Sequence, residues 1–363
     1  MKQVLNYNIH NILKFQIILN KKLNLFDYFN VEHRFFEVKN IDSPDIILNI
    51  GKFTPSNVDC YIVDNKYYIK KNYFYCSDSV GGTKWESEIF GFESGKTIIN
   101  FDVNVPGIRG LLPILGVHNL FLSPLIDFKL SNKGYYLLHS AGLGKDNKAF
   151  ILAGMGGAFK TTLAMDFTRK AGFDFFGDER VIVHDGNVLS YPIGLVSFDY
   201  RCKCLPTEKK RNFKDKIDLV KYNLSKYHHI DKLSVNIADT SRLCAIFFMN
   251  RNSERKSLIC NKSTLNNAVE KLVINNEMEM NHAYMPNIMG ISFNPFFEYM
   301  LAYSFIYPES QVALHWDNLR RDLKRNLENV PIYEIEIPLE YSDTVFNDIH
   351  NYITSVVKYN ETK

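Results

Sequence analysis

The chain has 363 residues, 46% of them hydrophobic and 23% charged, which fits a globular protein with a large core and room for two domains. Its formal net charge of +3 is too small to argue for nucleic acid as a general partner. Its six cysteines (Cys60, Cys76, Cys202, Cys204, Cys244 and Cys260) contain no CxxC pair and read as reduced thiols rather than a metal or disulfide framework.

Residues 1–134 read as a β-rich module. The run Cys60–Ile69 has two aromatic and β-branched segments around Asp64-Asn65-Lys66 and predicts a hairpin. Lys84–Phe92 and Thr97–Phe101 continue the strand pattern. The least charged long stretch, Gly110–Phe128, contains Pro113, Pro124, His118 and Asn119. A lipid-spanning helix rarely carries all four, so a buried helix interrupted by prolines is expected and no membrane partner. The N-terminus lacks the charged, apolar, small-residue order of a signal peptide, and a cytoplasmic location is expected.

Residues 135–363 form the second predicted domain. Tyr135–Ala141 has a strand pattern carrying His139, and Ala149–Ala153 is a further strand. Then comes Gly154-Met155-Gly156-Gly157-Ala158-Phe159-Lys160-Thr161-Thr162, followed by a helix over Lys160–Ala171 with Gly172 as its C-cap. A phosphate-binding loop needs glycines so that backbone N–H groups converge, a helix start, a lysine for the β and γ phosphates and a hydroxyl for Mg²⁺. Gly154, Gly156, Gly157, Lys160 and Thr161 supply these parts, and Ala158, Phe159 and Thr162 complete the candidate nucleotide-binding run. The usual glycine before the lysine is Phe159; that residue is acceptable at negative φ, with its ring turned from the phosphates or stacked on a base. The bland alternative is a glycine-rich strand–helix turn with an incidental lysine.

Asp178-Glu179 lies 18 residues beyond Lys160, after one helix and one short strand (Phe173–Phe176). Both elements run back to the same end, which brings the carboxylates toward a γ-phosphate. Such a site needs one carboxylate for Mg²⁺ and one to orient and deprotonate a hydroxyl. His139 is a third candidate, as a proton acceptor or a phosphate-stabilising cation, although a lone strand histidine is more often structural.

Past a strand through Val183, Asp185-Gly186 reads as a tight turn, and Pro206–His229 as a polar, basic surface loop with room for a short helix. His184 and His228-His229 are loose metal candidates beside Cys202 and Cys204. Leu243–Asn250 predicts a buried central strand. In Gln311–Val330 the spacing of Val312, Trp316, Leu319, Leu323 and Leu327 predicts an amphipathic helix with Arg320-Arg321 and Lys324-Arg325 outward. The alternation of Tyr333, Ile335 and Ile337 with Glu334 and Glu336 predicts a strand.

These residues resemble the HPr kinase group of P-loop proteins, which also includes phosphoenolpyruvate carboxykinase. The likeness lies in Leu137–Ala141, Lys148–Ala164, Gly172–Val183 and Tyr191-Pro192, within about residues 134–192. It implies an α/β fold: a P-loop core of the HPr kinase type behind a β-rich N-terminal module, with a helical C-terminal part. It further implies an ATP- and Mg²⁺-dependent kinase acting on a hydroxyl of a protein, peptide or small metabolite. Lys160 and Thr161 would then hold phosphate and metal, Asp178 would be the base, Glu179 the second metal partner and His139 an accessory group. The chain departs from the group at Phe159, and at Glu179 where a second aspartate is common. A nucleotide-binding regulatory or assembly protein with little turnover is the alternative. The acceptor is not legible, and a homo-oligomer is left open.

Overall fold

The computed structural model describes residues 3–20, 33–80, 83–104, 114–205, 213–226, 232–281 and 295–359. The protein is mixed α/β and divides into two compact units, Met1–Lys133 with Met278–Asn318, and Gly134–Glu277 with Leu319–Lys363.

The first unit holds a nine-stranded mixed sheet. Its strands are β1 (Gln3–Ile9), β2 (Leu13–Leu19), β3 (Glu37–Val38), β4 (Ile46–Ile50), β5 (Tyr61–Val63), β6 (Tyr67–Lys70), β7 (Tyr73–Val80), β8 (Thr83–Phe90) and β9 (Thr97–Asn104). They lie in the order β3-β1-β2-β4-β9-β8-β7-β6-β5. The predicted hairpin is β5–β6, with Asp64 and Asn65 at φ 52° each, the left-handed turn that Asx residues tolerate. Burial alternates along β2, β4 and β9, so Phe15, Ile17, Leu48, Ile99 and Phe101 share one covered face.

Two helices of this unit supply apolar cover. One spans Ile114–Asn132 and continues through Pro124; Phe121 meets Trp85 at 5.5 Å and Tyr299 at 5.4 Å between ring centroids. The predicted prolines at 113 and 124 thus divide between positions, Pro113 lying outside the described residues and Pro124 inside a continuous helix. The second helix, Pro295–Ile306, buries Phe296, Tyr299, Met300 and Tyr303. The sequence division at residue 134 assigns this helix to the second domain. Its aromatics pack instead on first-unit residues, Tyr299 on Phe74 and Tyr303 on Phe92, so the chain returns to the first unit after the second has begun.

The second unit is built on β10 (Tyr136–Leu138), β11 (Ser140–Lys145), β12 (Lys148–Ala153), β13 (Asp174–Gly177), β14 (Val181–His184), β15 (Asn187–Leu189), β16 (Thr240–Arg251), β17 (Ile259–Lys262) and β18 (Ile332–Ile337). The main path is β10-β14-β15-β16-β12-β11-β13, with β18 joined to β16 and β17 to β18. β16 is central: it runs parallel to β12 and to β18, and Ala245–Met249 is buried at every residue. A run buried on both faces reads as continuous apolar sequence rather than alternation, as LCAIFFMN does.

The Lys160–Ala171 helix has the predicted ends, and Gly172 caps it at φ 66°, ψ 35°. The helix lays Phe167 against Phe150 of β12 and against Phe346 of the Asp343–Tyr359 helix. Further along, Phe213–Lys226 is a 14-residue helix, longer than the short helix expected within a surface loop there. Ile217, Leu219, Val220 and Leu224 give it apolar spacing that its lysines disguise in the sequence. Residues 206–212 and His228-His229 lie outside the described residues. The helix predicted over Gln311–Val330 is His315–Asn326, flanked by turns, with Leu319 and Leu323 buried. Among the described residues no helix is long and apolar enough to cross a membrane.

Candidate functional site

Sheet register determines where the candidate side chains gather. β12 ends at Ala153, opposite Ser140 at the start of antiparallel β11. β13 is antiparallel to β11, with Gly177 opposite Gly142, so β12 and β13 end at the same edge of the sheet. The chain passes from β10 to β11 through His139, and Leu138 stands opposite Val181. The glycine loop after β12, the acidic pair after β13 and His139 therefore share one edge.

In the loop, Gly154 has φ 142°, and a Cβ there would lie 2.6 Å from the Met249 carbonyl oxygen of β16. Only glycine lets β12 turn outward this close to its parallel neighbour. Gly157 has φ 82°, whereas Gly156 and Met155 are exposed along the loop. The Ala158 N–H donates to the Met155 carbonyl at 3.3 Å, and the first helical bond runs from Leu163 N–H to Phe159 at 2.8 Å. The amides of Lys160, Thr161 and Thr162 precede that bond and open toward the loop. Lys160 is buried, and its Nζ donates to the carbonyls of Gly154 and, at 3.2 Å, of Met155.

Phe159 adopts φ 60°, ψ 14°, against the expectation of a negative φ. This is the left-handed conformation that the usual glycine would take without strain, and here a phenylalanine takes it. Its ring is turned toward the ends of β16 and β18: the Arg251 guanidinium lies 4.3 Å from the ring centroid, and the Tyr341 ring 5.3 Å away. Arg251 also donates to the Gly157 carbonyl at 3.2 Å and to that of Leu339. Tyr341 donates to the buried Asp166 carboxylate, which also takes Arg169 and Lys170.

Asp178 occupies the short link between β13 and β14. A Cβ on Gly177 would lie 2.1 Å from the Arg180 carbonyl oxygen, so the link can close this tightly only after glycine. Burial pushes the Asp178 carboxyl up to about 6, against the lowering effects of the Thr161 hydroxyl hydrogen bond and the Arg201 and Lys160 charges. Its Oδ1 is buried and has no hydrogen-bond partner among the described residues. Glu179 is exposed. Thr161 and Glu179 are the expected metal holders; the carboxyl whose pKa the Thr161 hydroxyl lowers is that of Asp178.

His139 is half-buried and fixed through its backbone. Its N–H donates to Asn276 Oδ1 at 2.8 Å, and its carbonyl accepts from Asn275 Nδ2 at 2.8 Å. Both asparagines come from the Leu265–Asn281 helix. Asn275, Asn276, Arg201, Arg251 and Tyr341 are absent from the sequence reading. All of them reach the site only through the fold.

Among the described residues no group of three or more His, Cys, Asp and Glu is placed to hold a metal. The oxygens of Thr161 and Asp178 nevertheless suit a hard cation: Mg²⁺ takes one or two protein oxygens and fills the rest of its octahedron with phosphate and water. The unpartnered buried Oδ1 of Asp178 is the kind of atom such an ion satisfies. No protein-family model matches the chain, and no curated protein matches it.

Proposed function

We propose that the chain is an ATP- and Mg²⁺-dependent kinase with a P-loop core of the HPr kinase type, transferring a γ-phosphate to a hydroxyl of a protein, peptide or small metabolite. One observation carries this reading: the helix-start hydroxyl of Thr161 lies close enough to Asp178, a carboxylate from a different strand end, to pull its pKa down. An incidental glycine turn has no reason to bring a lysine, a hydroxyl and a partly desolvated acid together.

In this reading the Gly154–Phe159 loop and the first helical amides cradle the phosphates. Lys160 moves from the loop carbonyls to the β and γ oxygens, and Thr161 with Asp178 holds Mg²⁺. A Mg²⁺ held there would supply charge neutralisation at the phosphates. Glu179, exposed and next in the chain, takes the proton of the acceptor hydroxyl, which exchanges the two roles assigned from sequence. Arg201 stabilises charge on the transferring group, and His139, held by Asn275 and Asn276, stands by as an accessory group.

A second reading, nucleotide binding with little turnover, draws on the Phe159–Arg251–Tyr341 packing, which ties the loop to distant strand ends. The two separate in one experiment. Purified protein is incubated with γ-labelled ATP, Mg²⁺ and pools of hydroxyl-bearing peptides and metabolites, alongside Lys160→Ala and Thr161→Val. The kinase reading expects transfer that falls at least about 100-fold in both variants. Thermal stabilisation by ATP without transfer to any acceptor would favour the second reading, and transfer unchanged in Lys160→Ala would end the first.

A further inference from the structure

The first unit contains a cleft of about 490 Å³ lined by Ser43, Asp45, Glu93, Lys96, Lys129 and Lys133, with Asn132 and Gln311 among its other walls. Its volume falls in the range of small-molecule sites. At its wall sits Lys129, 6% exposed, from the last turn of the Ile114–Asn132 helix. Its Nζ donates to the Gly95 carbonyl at 2.9 Å and the Gly91 carbonyl at 3.2 Å. An ammonium has three N–H donors, and two neutral carbonyls leave both a donor and the charge uncompensated.

The neighbouring carboxylates are committed elsewhere. Asp45 accepts from Lys133 Nζ at 2.8 Å and from the Lys14 N–H at 2.8 Å. Glu93 accepts from the Tyr303 hydroxyl at 2.8 Å and the Val312 N–H at 3.4 Å. Three lysines against two carboxylates leave the lining with one net positive charge. Burial of Lys129 lowers its pKa to about 8, the expected direction for a cation without an ionic partner.

We propose that this cleft is a second ligand site, for a small aliphatic molecule that seats a carboxylate or phosphate group against Lys129 and Lys96. An oxyanion there accepts the remaining Lys129 proton and neutralises its charge, while Ser43, Asn132 and Gln311 supply hydrogen-bonding groups to a polar body. The lining includes no aromatic side chain, so a nucleobase has nothing to stack on. This separates the site from the glycine loop and makes the proposal independent of the kinase reading.

Inorganic phosphate and citrate are the probes, titrated calorimetrically without nucleotide into wild type, Lys160→Ala, Lys129→Gln and Lys96→Ala. Citrate or phosphate binding is expected to survive in Lys160→Ala, to weaken about tenfold or more in Lys129→Gln and by a smaller factor in Lys96→Ala. Citrate binding with phosphate excluded assigns the carboxylate, and the converse assigns the phosphate. In wild type, reductive methylation of Lys129 read by mass spectrometry is expected to slow severalfold in the presence of the binding probe, a readout that holds even where Lys129→Gln fails to fold. Binding lost in Lys160→Ala, binding indifferent to both cleft lysines, or no binding of either probe at millimolar concentration overturns the proposal.

Discussion

Asp178 is costly to ionise. Its carboxyl ordinarily titrates near pH 4 and here titrates at about 6, because burial outweighs the Thr161 hydrogen bond and the two nearby cations. Between those values the folded chain holds a proton that the unfolded chain has released. Stability from this group is therefore present below pH 4, falls as the pH rises to 6, and is flat above. At pH 7.5 the ionised form costs on the order of 3 kcal/mol. Asp178→Asn removes that charge while keeping the shape, so the variant is expected to be more stable than wild type at pH 7.5 by about 1–3 kcal/mol, and no more stable at pH 4. Urea denaturation at the two pH values checks it; a destabilised variant at pH 7.5 would show that the carboxylate is already compensated. Under the proposed kinase reading, phosphotransfer is expected to move in the opposite direction, since the same substitution weakens the oxygen pair proposed to hold Mg²⁺.

At the scale of elements, the Lys160–Ala171 helix starts from a left-handed residue that is not glycine. Phe159 costs about 1–2 kcal/mol in backbone strain and recovers part of it from the Arg251 guanidinium over its ring and from the Tyr341 ring beside it. Phe159→Ala keeps the strain and loses the contacts; Phe159→Gly loses both. The glycine variant is expected to be more stable than the alanine variant by about 1 kcal/mol, measured by urea denaturation. Equal stabilities would mean that the helix start relaxes to negative φ once the ring is gone. The same contrast shows what was legible in the sequence. Both ends of this helix were readable because their signals are local: a glycine loop before it and Gly172 after it. β16 was readable because burial on both faces leaves an unbroken apolar run. The φ of Phe159 was not, because its ring is held by partners far along the chain, Arg251 being 92 positions away and donating to Gly157. Nor was the Phe213–Lys226 helix, whose apolar residues lie among lysines. For the site, register placed His139 and Asp178 at the edge that β12 reaches, but the match of Thr161 with Asp178 rather than Glu179 needed side-chain geometry.

At the scale of the whole molecule, each unit has its own sheet and core, so each carries its own dependence on pH. In the second unit, Asp178 becomes less unfavourable as the pH falls through 6. The first unit contains His315, 4% exposed, whose ring packs against Phe128 and Trp316 and whose Nε2 is buried with no hydrogen-bond partner among the described residues. Burial lowers its pKa to about 4. A depressed histidine contributes stability that is complete above pH 6.5 and is lost as the pH falls toward 4, by up to about 3 kcal/mol. Acid therefore weakens the first unit while relieving the second. Both tryptophans, Trp85 and Trp316, belong to the first unit, so tryptophan-selective fluorescence reports on it alone, whereas far-ultraviolet circular dichroism reports on both. Urea midpoints from the two probes are expected to separate as the pH is lowered from 7 to 4.5, fluorescence moving to lower urea first. His315→Leu is expected to shrink that separation, since an apolar side chain of similar bulk has no proton to take up. Coincident transitions at pH 4.5 would mean that the two units unfold as one cooperative body, and that the histidine's cost is shared by the whole chain.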